Sequence, residues 1–125
     1  MKVLSIEQMN RLKELGVDVN PKGMCLMYTS DSSDSYYLKY GESTCEDDVV
    51  AFGLQDIIEL LPKSVIINSV KHWFCVNQNC LLTEFQAMYF DGYDSYGVIK
   101  QNKSLLQAAY NMLIWVIENG YLKTK

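Results

Sequence analysis

The sequence predicts an α+β domain in two layers, with an antiparallel sheet of 4–5 strands from two hairpins packed on a long C-terminal helix. Three observations predict it. Residues 104–120, SLLQAAYNMLIWVIENG, carry a helical repeat with a start signal and a stop signal. Two pairs of β-rich segments are each joined by a short polar stretch, which is how hairpins read. Residues 54–61 form a second amphipathic pattern that ends at Pro62. Hairpins imply antiparallel pairing, and helices segregated from the strands imply a sheet covered on one side. The expected element order is α-β-β-α-β-β-(β)-α. No linker, repeat or low-complexity stretch divides residues 1–125, so a single domain is expected.

The first helix is expected over residues 5–15. Ser5 and Gln8 suit a capping box, Ile6, Met9, Leu12 and Leu15 form a stripe, and Gly16 ends it. Asn20-Pro21-Lys22-Gly23 is a turn, since proline fixes φ and glycine permits positive φ. Residues 24–30 and 36–41 read as strands of one hairpin, joined by the polar residues 31–35. Residues 42–48 read as an acidic loop. In the next segment Leu54, Ile57, Ile58 and Leu61 fall on one helical face, and Pro62, which has no amide to donate, stops the helix.

Residues 65–76 and 81–90 read as a second hairpin turning at Asn77-Gln78-Asn79. In its second strand Leu81, Phe85, Ala87 and Tyr89 share a face opposite Glu84 and Gln86. Residues 91–95 form a turn, and residues 96–100 add an edge strand. In the last helix Ser104 and Gln107 suggest a second capping box, and Gly120 a left-handed terminator. Leu105, Leu106, Ala109, Met112, Leu113, Val116 and Ile117 fall within one arc, the core face.

The composition narrows the function. With 49% hydrophobic residues, 21% charged residues and nine tyrosines, the chain has the apolar area of a globular core. A net charge of −4 and the lack of a Lys/Arg cluster disfavour nucleic acid as a partner. The start, MKVLSIEQMN, has no apolar run of signal-peptide length, and residues 105–117 are too short to span a bilayer. A cytoplasmic location away from the membrane is expected, with Cys25, Cys45, Cys75 and Cys80 as reduced thiols.

No nucleophile elbow, phosphate-binding glycine loop or paired-carboxylate signature is present, so no catalytic, cofactor-binding or metal-binding residue is expected. Cys75 and Cys80 would face each other in a tight hairpin, but a zinc site wants two close pairs of ligands. His72, the one histidine, reads as a surface or half-buried strand residue. Asp31, Asp34, Glu46 and Asp48 would together make the acidic site of a small metal-dependent hydrolase or nucleotide-processing enzyme, the rival reading. They lack the ligand spacing of a calcium loop.

Two places suit recognition. Tyr93 and Tyr96 lie in the aromatic stretch YFDGYDSY, and exposed tyrosines offer rigid contact area with a hydrogen-bonding tip. On the last helix Ile114 falls inside the polar arc set by Gln107, Asn111 and Glu118, flanked by Tyr110 and Trp115. An apolar residue there needs a cover, either another layer of the domain or a partner.

Residues 54–62 (LQDIIELLP), 104–122 (SLLQAAYNMLIWVIENGYL) and the opening SIEQMNRLKELGVDV resemble small phage- or prophage-type proteins of gut anaerobic bacteria, over about half of the chain. That family has no assigned activity and supplies no catalytic residue. The resemblance implies a mobile-element accessory protein in a bacterial cytoplasm. The function expected is a non-enzymatic protein-binding module, with an unknown protein partner or self-association, using Tyr110, Ile114, Trp115, Tyr93 and Tyr96.

Overall fold

A computed structural model describes residues 2–30, 35–79 and 83–122. The fold is α+β, with two antiparallel sheets and a C-terminal helix. The chain divides into two compact units, the boundary falling between Gly53 and Leu54.

The first unit opens with α1 (Ile6–Glu14). Ser5 Oγ accepts from the Gln8 amide at 3.2 Å, and Gln8 Oε1 accepts from the Ser5 amide at 3.1 Å, so the capping box forms as expected. Met9 and Leu12 are fully buried. Gly16 at φ 91 ends the helix, with amide bonds from Gly16 to Lys13 and from Val17 to Leu12. Strands β1 (Cys25–Ser30), β2 (Tyr36–Gly41) and β3 (Val49–Val50) make a three-stranded sheet in the order β2-β1-β3. The two-residue β3 follows the acidic loop directly and is too short for any periodicity to show. Met27, Thr29 and Val49 are buried, and Tyr28 donates from its hydroxyl to the Leu4 carbonyl. In β2, by contrast, Tyr36, Tyr37, Leu38 and Tyr40 are all exposed.

The second unit holds α2 (Leu54–Leu60) and α3 (Leu105–Glu118), with β4 (Ser64–Ile67), β5 (Val70–Asn79), β6 (Glu84–Phe90) and β7 (Tyr96–Asn102) between them. The strands form one antiparallel sheet in chain order, β4-β5-β6-β7. The structure corrects the expected architecture here: the two hairpins belong to separate sheets. Residues 65–76 are not one strand, because Asn68 and Ser69, at φ 51 and 67, turn the chain back within them. Two consecutive left-handed residues match the twist of a two-residue hairpin, and asparagine tolerates that geometry. Asn77 and Gln78, expected in a turn, are paired in β5 with Gln86 and Phe85. Leu81 lies outside the described residues.

Helix α3 packs on β6 and β7, and α2 packs on α3. The Ser104 hydroxyl accepts from the Gln107 amide at 3.4 Å, while the Ser104 amide donates to Asn102 Oδ1 at 2.9 Å. At the other end Gly120, at φ 78, donates to Ile117 and Tyr121 donates to Val116, the paired bonds of a Schellman motif. Ala108 and Ala109 have no accessible surface. Side chains that short let the helix backbone come close to what it covers. Tyr89 is equally buried, and its hydroxyl donates to the Pro62 carbonyl at 2.7 Å. Burial pushes its phenol well above the usual tyrosine value. A bulge at Tyr89 and Phe90, which pair with Val98 and Tyr96, leaves Gly97 as the extra residue. A Cβ at Gly97 would collide with Ile67 and crowd the His72 ring.

Candidate functional site

The four-stranded sheet has two faces of different character, and alternation along each strand decides which residues go where. Val65, His72, Ala87 and Tyr89 share one face and are buried. On the other face Ile66 is 64% exposed, Trp73 48%, Tyr96 49% and Ile99 42%. Apolar side chains left open on a continuous sheet surface mark an interaction face better than single exposed residues do.

The register sorts this outer face into rows running across the strands. Trp73, Phe90 and Tyr96 are paired in one row. Cys75, Met88 and Ile99 make the next row, in which Met88 is buried and Cys75 half-buried, and Asn77, Gln86 and Gln101 the one after. The first is aromatic, the second apolar with two sulfurs, and the third entirely amide. Phe90 and Tyr96 hold their ring centroids 4.6 Å apart, inclined by 31°. Gln86 Nε2 donates to Gln101 Oε1 at 2.9 Å, and Gln101 Nε2 donates to Glu84. Lys71 lies beyond the aromatic row, its Nζ 5.6 Å from the centroid of the Trp73 ring. That cation–π contact fixes the lysine on this face. Burial pushes the Cys75 thiol up, so it stays protonated and packs as a small apolar group.

Of the five residues expected to form the recognition surface, Tyr96 lies on this face. Tyr93 is 88% exposed at the tip of the preceding loop. Tyr110 is buried, and Ile114 and Trp115 are half-buried, Trp115 stacked on Tyr121 with centroids 5.2 Å apart. The helix therefore buries a wider arc than its apolar periodicity suggested. The outer face itself was missed because its rows depend on pairing register. The available signal was the alternation of Lys71, Trp73, Cys75 and Asn77 against His72 and Phe74.

Two other clusters are structural in their geometry. His72 is buried, a correction to its expected place as a surface or half-buried strand residue. Its Nδ1 donates to the Val70 carbonyl at 2.8 Å, leaving Nε2 beside Gly97. With Asp91 and Ser95 it lines a cavity of about 210 Å³. In a catalytic triad the carboxylate would hold the Nδ1 proton. Here Asp91 instead accepts from the Tyr93 and Ser95 amides at 2.8 and 3.2 Å, shaping its own loop. The Tyr93 amide foremost holds the Asp91 carboxyl below the usual carboxylate range.

In the first unit Asp48 is buried. Its Oδ2 accepts from the Ser43 hydroxyl at 3.0 Å and the Thr44 and Cys45 amides at 3.2 and 3.3 Å. The Thr29 hydroxyl is the largest influence holding its carboxyl below the usual range, with Ser43 and the two amides adding to it against the effect of burial. Oδ1 is buried without a hydrogen-bond partner. Glu46 and Asp47 are exposed, and Asp31 and Asp34 lie outside the described residues. Among the described residues no three His, Cys, Asp or Glu side chains come together to hold a metal ion. Cys25, Cys45 and Cys75 are free thiols; Cys75 is paired with Met88, and Cys80 lies outside the described residues. Among the described residues no helix is long and apolar enough to cross a membrane.

No protein-family model, curated protein or solved structure matches this chain.

Proposed function

We propose that this chain is a small non-enzymatic binding module that works through protein contacts made by the outer face of its four-stranded sheet. The observation that supports the reading is the uncovered aromatic and apolar surface of Ile66, Trp73, Tyr96 and Ile99. Aromatic residues flanked by amides suit a protein partner, since rings supply contact area and amides satisfy polar groups at the margin. The chain's net charge of −4 disfavours phosphate backbones as the partner. The setting, a mobile-element accessory in a bacterial cytoplasm, rests on the resemblance carried by residues 54–62 and 104–122.

Capture from a bacterial lysate tests the reading. Immobilised wild-type chain is compared with a doubly charged variant, Ile66→Glu with Ile99→Glu, whose far-ultraviolet dichroism confirms folding. A protein retained by the wild type and lost by the variant is the expected result. Equal capture by both overturns the assignment to this face.

A further inference from the structure

Taking the outer face as a binding face, we infer that its occupant is a second copy of this chain, packed face to face about a two-fold axis that runs across the strands along the Cys75–Met88–Ile99 row.

The rows carry this inference. A two-fold axis along the central row turns each row onto the one equally far on the other side. The register places Trp73, Phe90 and Tyr96 two residues to one side of that row, and Asn77, Gln101 and Gln86 two residues to the other. The aromatic row of one copy therefore lies on the amide row of the other, and along the axis the accessible members of the central row, Cys75 and Ile99, each meet their own counterpart on either side of the buried Met88. A planar amide stacks on a ring face and keeps its edges for hydrogen bonds. The arrangement is isologous, one surface meeting itself, as closed dimers require.

Charge follows the same symmetry. Lys71 is four residues from Cys75 along β5, and Glu84 is four residues from Met88 along β6 in the opposite direction. Within one chain they stand about 26 Å apart at strand rise, too far to interact. Across the two-fold, Lys71 of each copy meets Glu84 of the other. Packed sheets lie about 10 Å apart, a gap that a lysine and a glutamate side chain close together.

The area sets the strength. With β5 about 33 Å long, β6 and β7 about 23 Å each and β4 about 13 Å, strands at about 4.8 Å spacing give a footprint of about 440 Å² per copy. The total of about 900 Å² lies just under the roughly 1,000 Å² of a stable specific interface, so the dimer is a weak, concentration-dependent one, expected in the micromolar range or above.

Sedimentation velocity from about 1 to about 300 µM spans the micromolar range and tests the inference. Wild type is expected to pass from monomer to dimer. Lys71→Glu alone and Glu84→Lys alone each put like charges together twice per dimer, and each weakens association by about tenfold or more. Mixing the two single variants restores opposite charges at both contacts, so the mixture is expected to dimerise within about threefold of wild type. Contacts within one chain cannot produce that rescue. A wild type that stays monomeric throughout, or a dimer that ignores both substitutions, overturns the inference. In the first case the lysate capture still stands as a separate test: if capture depends on Ile66 and Ile99, the binding face is retained and only the self-pairing falls.

Discussion

The two sheets of this molecule are held in different ways. In the three-stranded sheet, β2 leaves Tyr36, Leu38 and Tyr40 exposed, and beside the buried Met27 and Val49 the strands carry polar ties: the buried Asp48 carboxylate gathering residues 43–45, and the Tyr28 hydroxyl on Leu4. In the four-stranded sheet one face is buried, with Ala87 and Tyr89 at no accessible surface, and α3 packs against β6 and β7. Polar ties fail when a proton arrives. Apolar burial fails when volume is removed. The two sheets should therefore respond to different perturbations, and that difference can be measured.

The largest effect is expected from Tyr89→Ala. It empties a fully buried site and frees the Pro62 carbonyl, which should lower the stability of the second unit by about 3–5 kcal/mol. Tryptophan fluorescence during urea unfolding reads it, because Trp73 and Trp115 both lie in that unit. A loss under about 1 kcal/mol would mean that burial of this face is not what holds the sheet.

Asp48→Ala comes next. It leaves two amides and a hydroxyl without their acceptor, a cost of about 1–3 kcal/mol to the first unit. Since the Asp48 carboxyl is held below its unfolded value of about 3.9, its contribution is complete above that pH and is lost as the pH falls through the lower folded value. Hydrogen-exchange protection of the Thr44 and Cys45 amides should therefore drop below about pH 4 in wild type. In Asp48→Asn the pH dependence should be flatter. The smallest effect is a gain: Ser69→Gly relieves a left-handed serine and should raise the melting stability of the second unit by about 0.5 kcal/mol.

What the sequence showed of this fold was local. Ser5 with Gln8, Gly16, Pro62 and Gly120 are signals whose partners lie within a turn or two, and each marks its boundary in the structure. The division into two sheets was not legible, because β1–β3 pairing joins Met27 to Val50, and residues that distant leave no pattern in a window. The turn at Asn68 and Ser69 was hidden inside a β-rich run because serine replaces the glycine that usually announces it. Tyr96 was legible as an exposed aromatic residue of the YFDGYDSY stretch. Trp73, Ile99 and Ile66 were not, since their shared face arises only once four strands are in register.

The order of the strands also sets a timetable. In the four-stranded sheet each strand pairs with its neighbour along the chain, and the first pairing closes through the two residues Asn68 and Ser69. Short closures lose little chain entropy before contacts repay it, so this meander zips from one end. The three-stranded sheet must instead bring β3 back past β2 to reach β1. Pulse-labelled refolding should accordingly find the amides of β4 and β5 protected first and those of β3 last. The face that β5 and β6 carry should thus be among the earliest surfaces the chain completes, formed before the pairing of Met27 with Val50.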